Sequence, residues 1–226
     1  MEVPWPRGSD FQLEPARTAL IVVDMTLSQC DKDAPSGVSH SLHKAGGKAA
    51  DYYLDTQSKV IPIIRELANA CRERGVLVVY LTLGPYFPDA GELPFFMRSM
   101  NKGSAAGGHH FEVIPELRPQ EGDLVIHKLT ASGFIGTNLD GILRNLGIDT
   151  VILTGAATHA CVESTARTAA DFGYRIVLVE DGCVTQSPLW HDMTMMNCVH
   201  FNWGKVLQGT QVIDELSASP RDSPLR

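Results

Sequence analysis

Short runs of β-branched and aliphatic residues recur along this chain at 18–23, 76–81, 123–126, 150–153 and 175–178, with room for a helix between most successive runs. Parallel strands need a crossover of a dozen or more residues, and near-continuous apolar strands are those covered on both faces. The pattern restricts the chain to βαβ units around a buried parallel sheet. Between the first two runs, Val60, Ile63, Ile64, Leu67 and Cys71 fall at three- and four-residue spacing, which predicts an amphipathic helix over 58–74 ended by Gly75. Further helices are predicted over 138–146 and 160–172, each followed by a glycine, and within 189–202, with a weak last strand around 205–207. We expect a single Rossmann-like α/β domain, three-layer α/β/α, with a central parallel sheet of five or six strands. It would span 18–216, after an N-terminal extension of 1–17 and before a flexible polar tail at 217–226.

Ligands of open parallel sheets bind beyond the carboxyl ends of the strands, where strand order reverses. Asp24 follows the first run, Lys128 the third, and the segment Ala156 to Cys161 the fourth, so a carboxylate, an amine and a thiol are all placed at that edge. The sequence VILTGAATHACVESTAR, from Val151 to Arg167, reads as a buried strand, a small-residue turn and a helix whose first turn carries Cys161. Such a turn points backbone N–H groups into a crevice, and the helix dipole favours a thiolate and the oxyanion formed when that thiolate attacks a carbonyl. Two long connections, 26–52 and 84–108, read as loops at the same edge, suited to lids or oligomer contacts.

Composition narrows the partners. With 44% hydrophobic and 20% charged residues and no compositional break, 226 residues make one core. A formal net charge of −7 argues against a nucleic-acid surface or an anionic membrane and favours a small-molecule partner. No apolar run approaches the roughly 20 residues of a spanning helix. Five cysteines without CxxC spacing and an N-terminus lacking an apolar signal run lead us to expect a reduced, cytoplasmic protein. Cys30, Cys71, Cys183 and Cys198 read as packing residues, and His191 and His200 as packing or hydrogen-bonding residues.

Taken singly, Cys161 reads as a small buried hydrophobe, Asp24 as an end-of-strand cap and Lys128 as a surface amine. Together, in ALIVVDM, VIHKLTASGFIGTNLDGIL and VILTGAATHACVESTARTAADFGYRIVLVEDGC, they resemble the isochorismatase-like cysteine hydrolases. The resemblance implies Cys161 as nucleophile, Asp24 as general base and Lys128 as their charge partner. It also implies a cis peptide between Ala156 and Ala157, and an oxyanion hole from the N–H groups of Ala157 and Cys161. The reaction implied is hydrolysis of an amide or ureido C–N bond through a thioester, on a small linear substrate of biuret, ureido or carbamoyl type. Gln29, Phe134, Thr158 and His159 are the candidate substrate contacts; Gln29 stands where relatives often carry an aromatic, which suggests a polar wall.

Nicotinamidases of this family carry a DxH metal motif after the second strand, where this chain reads LTLGPYFPDAGELP, so neither metal nor cofactor is implied. His109 and His110 have no carboxylate partner at ligand spacing. The branch acting on the isochorismate vinyl ether lacks the cysteine. A nicotinamidase-like or other amidase, or an idle ligand-binding or assembly module of the same fold, remain the competing readings. The resemblance further implies a homo-oligomer, dimer or tetramer, for which Phe95, Phe96, Trp190 and Trp203 are candidate contacts.

Overall fold

The computed structural model describes residues 10–33, 38–101 and 111–219. Six parallel strands form one sheet: β1 (Thr18–Val23), β2 (Leu77–Leu83), β3 (Leu124–Lys128), β4 (Thr150–Ala156), β5 (Arg175–Val184) and β6 (Lys205–Leu207). Their spatial order is β3-β2-β1-β4-β5-β6. Every residue of β1 and β4 is buried, which is why those two runs contain no charged side chain. The helices are α1 (Leu27–Cys30), α2 (Val38–Ala45), α3 (Lys48–Glu73), α4 (Phe95–Asn101), α5 (Leu139–Asn145), α6 (Glu163–Asp171), α7 (Pro188–His200) and α8 (Gly209–Ala218).

Alternation along each strand divides the core in two. On one face, Leu20, Val22, Tyr80 and Ile152 pack with Ile64 and Leu67 of α3 and Val212 and Leu216 of α8. On the other, Ile21, Val23, Leu81 and Leu153 pack with Leu143 of α5, Ala166 of α6 and Cys198 of α7. The expected three-layer α/β/α architecture with a parallel sheet of six strands is therefore present.

Several boundaries differ from the sequence reading. The first long helix begins ten residues before position 58, and α1 and α2 occupy much of the remaining connection, so 26–52 is largely helical. Tyr53 and Gln57 are buried in this extension, where their polar groups mask the apolar period: Tyr53 Oη donates to the Gln29 carbonyl at 2.9 Å and Gln57 Nε2 to the Cys30 carbonyl at 2.7 Å. The segment 84–101 is likewise organised, by a small cluster of Ala90, Leu93 and Met97 packed on Leu83, Leu129 and Ala131. At the termini, Leu13 is buried in the core, so residues 10–17 belong to the domain, and α8 runs through Ala218, two residues into the stretch read as a tail. The start of that helix carries no usual sequence signal, because its capping box is built from Gln208 and Gln211, outside the usual Ser, Thr, Asp and Asn caps. No helix among the described residues is long and apolar enough to cross a membrane.

Candidate active site

Strand order reverses between β1 and β4, which pair directly. Asp24 is the first residue after β1, and Cys161 lies five residues beyond β4, so both fall in the crevice where such sheets bind ligands. The two strands approach closely because residue 155 is glycine: it has φ +110°, and a Cβ there would sit 2.1 Å from the Val23 carbonyl oxygen. Asp24 adopts φ +51°, the left-handed region, while its N–H donates to the Leu81 carbonyl at 2.9 Å. This conformation ends β1, and the Asp24 side chain is buried.

Lys128 ends β3, two strands from β1. Two strand spacings of about 4.8 Å separate them, a gap that a four-carbon stem crosses. Its ammonium donates to Asp24 Oδ2 at 2.8 Å and to the Thr130 carbonyl at 3.1 Å. Both side chains are almost wholly enclosed. Asp24 Oδ1 is also buried and has no hydrogen-bond partner among the described residues, which leaves one carboxylate acceptor available. The Cys161 thiol is within electrostatic reach of both charges.

The electrostatics correct one expectation. Burial pushes the Cys161 thiol up to about 12, the Asp24 carboxylate pushes the same way, and Lys128 opposes them without prevailing. Burial and Asp24 thus work against a preformed thiolate. Burial alone would lower the Lys128 pKa, but Asp24, with Cys161 adding, outweighs it and leaves the value raised. The enclosure thus favours the ammonium on Lys128 and disfavours a thiolate on Cys161.

Cys161 also sits differently from the α-helical first turn read from the sequence. Residues Thr158–Val162 form a π-wound turn, and α6 starts only at Glu163. Such wide turns recur at functional sites because they re-aim one side chain without ending the helix. The Ala156–Ala157 peptide is cis. Thr165, which the sequence did not single out, donates to the Cys161 carbonyl at 2.6 Å and accepts from the Gly133 N–H at 3.0 Å. It thereby ties the cysteine turn to the loop that follows Lys128, and only the packing could show this.

The candidate substrate contacts divide. Thr158 is fully buried, its hydroxyl 3.2 Å from His191 Nδ1, which places it as a support of the turn. His159 is half-buried, with Nδ1 2.7 Å from Thr185 Oγ1 and its ring centroid 4.6 Å from that of Trp190. Gln29 lies in α1, its backbone held by Tyr53. Phe134 is buried in the same apolar cluster as Cys161, and its ring packs 5.8 Å from Phe172 and 5.5 Å from Tyr174. Among the described residues no group of three or more His, Cys, Asp or Glu is arranged to hold a metal; His109 and His110 lie outside those residues.

Comparison with known proteins places this geometry. The isochorismatase domain profile matches residues 18–211, most of the chain. The chain belongs to the isochorismatase family. Within that family it is 32% identical over 211 residues to the ureidoacrylate amidohydrolase RutB of Acinetobacter baylyi, covering 85% of this chain and 82% of that protein. The RutB of Yersinia enterocolitica is 34% identical over 187 residues, 76% of each chain. Among solved isochorismatase-family structures, N-carbamoylsarcosine amidase from Thermoplasma acidophilum matches with a TM-score of 0.64 and 33% identity over 85% of this chain and 96% of that one. A cysteine hydrolase from Pseudomonas syringae matches the fold with a TM-score of 0.77, covering 96% of this chain and 99% of its own, at 24% identity.

Proposed function

We propose that this amidohydrolase cleaves the C–N bond of a small linear ureido or carbamoyl amide, with Cys161 as nucleophile. The observation that carries the reading is the buried Lys128–Asp24 pair, whose unused oxygen Oδ1 faces the same enclosed site as the Cys161 thiol. Because burial disfavours a free thiolate, Asp24 takes the thiol proton as Sγ bonds to the substrate carbonyl carbon, and no separate ionisation precedes attack. The backbone N–H groups of Ala157 and Cys161 are the proposed donors to the oxyanion. As the C–N bond breaks, Asp24 returns the proton to the leaving nitrogen, which departs as ammonia or an amine and leaves a thioester on Cys161. A water then attacks that carbonyl, Asp24 accepts its proton, and the S–C bond breaks with the proton passing to sulfur, regenerating the thiol and releasing the acid.

Lys128 stays charged throughout and holds Asp24 in place, while Thr165 positions the turn. His159 and the polar Gln29 are the groups we assign to substrate recognition. Support for the substrate class comes from the RutB relatives and N-carbamoylsarcosine amidase, whose names place them on ureido and carbamoyl amides. The test is ammonia release from ureidoacrylate, biuret, N-carbamoyl amino acids, nicotinamide and aliphatic amides, before and after chelator treatment, with Cys161→Ala alongside. We expect turnover on a ureido or carbamoyl compound that survives chelation and is lost in the variant, with a substrate-derived mass adduct on Cys161 in quenched wild type. Turnover by Cys161→Ala at a comparable rate overturns the mechanism.

A further inference from the structure

One side chain at the edge of the crevice is held in a single tautomer by its neighbours. Ala156 of β4 pairs with Val184 of β5, and His159 and Thr185 lie three residues and one residue beyond those strand ends. Both therefore stand on the carboxyl edge of the sheet, with His159 two residues before Cys161. Thr185 is buried, and its hydroxyl donates to Gln186 Oε1 at 3.0 Å. That proton is the only one the hydroxyl has. The same oxygen lies 2.7 Å from His159 Nδ1, so there it accepts, and Nδ1 carries the hydrogen.

A neutral imidazole carries one N–H, so Nε2 is left as a bare acceptor. It has no hydrogen-bond partner among the described residues. Burial lowers the His159 pKa from 6.5, with Glu163 opposing, so the ring is neutral at neutral pH. Trp190 of α7 packs on it with ring centroids 4.6 Å apart and planes tilted by 40°, which holds the imidazole in that pose. A half-buried acceptor fixed beside the nucleophile is complementary to a donor, and it weakens the binding of a ligand that offers none.

We propose that His159 Nε2 selects substrates whose second nitrogen, the one kept on the acyl group when the first departs, carries a hydrogen. The inference rests on the ureido or carbamoyl reading above, in which Asp24 serves the leaving nitrogen. The other nitrogen of a ureido group is then a donor without a partner, and Nε2 is the acceptor it meets. Thr185 and Gln186 are positioning residues: they act by setting which ring nitrogen is bare. A methyl in place of the hydrogen removes the donor and brings an apolar group to the lone pair. The reverse tautomer would present an N–H at the same point and favour an acceptor, so the direction of the Thr185 hydroxyl decides the preference.

Long-range proton–nitrogen correlation spectra of the full chain with isotopically labelled histidine read the tautomer directly, His159 being assigned by the loss of its signals in His159→Gln. Free wild type at neutral pH is expected to carry hydrogen on Nδ1 and none on Nε2; the reverse tautomer or an imidazolium overturns the proposal. In parallel, ammonia release is measured on two matched pairs, N-carbamoylglycine with N-carbamoylsarcosine and ureidoacrylate with its N-methyl derivative, each differing by one methyl on the retained nitrogen. Wild type is expected to favour the N–H member by about 10- to 100-fold in kcat/KM. Thr185→Val and Gln186→Leu are each expected to move hydrogen to Nε2 and bring that ratio to within about threefold, while Thr185→Ser keeps both the tautomer and the ratio; the partly exposed Gln186 keeps the test open where Thr185→Val fails to fold. Equal use of both members by wild type, or a ratio unchanged in the variants, overturns the proposal. No turnover of the N–H member of either pair, beside the expected tautomer, fails the function proposed above and this inference with it, whereas ureido turnover with the wrong tautomer or without the preference fails this inference alone.

Discussion

Replacing Lys128 with methionine isolates the energetic centre of the site. The ammonium and the Asp24 carboxylate are 2.8 Å apart, with side-chain exposures of 0% and 2%. Removing one member of such a pair leaves the other as an uncompensated buried charge, at a cost of about 3–5 kcal/mol. At roughly 2–4 °C per kcal/mol for a domain of this size, the melting temperature falls by about 6–20 °C. Replacing both partners removes the stranded charge, so Asp24→Asn/Lys128→Met is expected to regain most of the lost stability while remaining inactive. Urea unfolding of wild type, both single variants and the double variant gives the coupling energy from the cycle. Ammonia release, measured in parallel, separates stability from function. A loss below about 1 kcal/mol in Lys128→Met, or strictly additive losses in the double variant, would refute the reasoning.

Other expectations follow from the same geometry. Alkylation of Cys161 by iodoacetamide in the free protein should be slow at neutral pH and still be rising above pH 9, because burial and Asp24 hold the thiol near 12; a plateau by pH 8 contradicts this, and is read by mass spectrometry of the labelled peptide. Global stability should decline in alkali. Cys71 and Cys161 are held near 12 against an ordinary 9.0, so from about pH 9 the unfolded chain releases protons that the folded chain retains. Lys128 acts in the same direction: its raised folded value stabilises fully below 10.5, and that contribution is lost as pH rises through the folded value. Urea midpoints at pH 7, 9 and 10 should therefore decrease in that order. Gly155→Ala drives a Cβ into the Val23 carbonyl at a positive φ and should cost at least about 3 kcal/mol, seen in urea unfolding. Thr165→Val leaves the Cys161 carbonyl and the Gly133 N–H without their shared hydroxyl, at about 1–3 kcal/mol; kcat should fall with little change in KM, and Thr165→Ser should restore it.

Much was determined by the sequence alone. The β-branched runs locate the strands because a residue buried on both faces of a sheet has to be apolar, and β1 and β4 are buried throughout. Asp24, Lys128 and Cys161 stand out because each lies at or just beyond a strand end, and parallel topology sends all strand ends to one edge. Gly75 marks the end of α3, where φ is +72°.

Tertiary structure decided what local pattern does not encode. Whether Lys128 reaches Asp24 depends on the order of three strands, and the closeness of β1 to β4 depends on a backbone contact at Gly155. Phe134 looks the same in sequence whether it lines a pocket or fills a core; only the fold sets its ring against Phe172 and Tyr174. How readily Cys161 ionises depends on how much water surrounds it, a property of the assembled site, and there burial pushes against the nearby ammonium that the sequence brought into view.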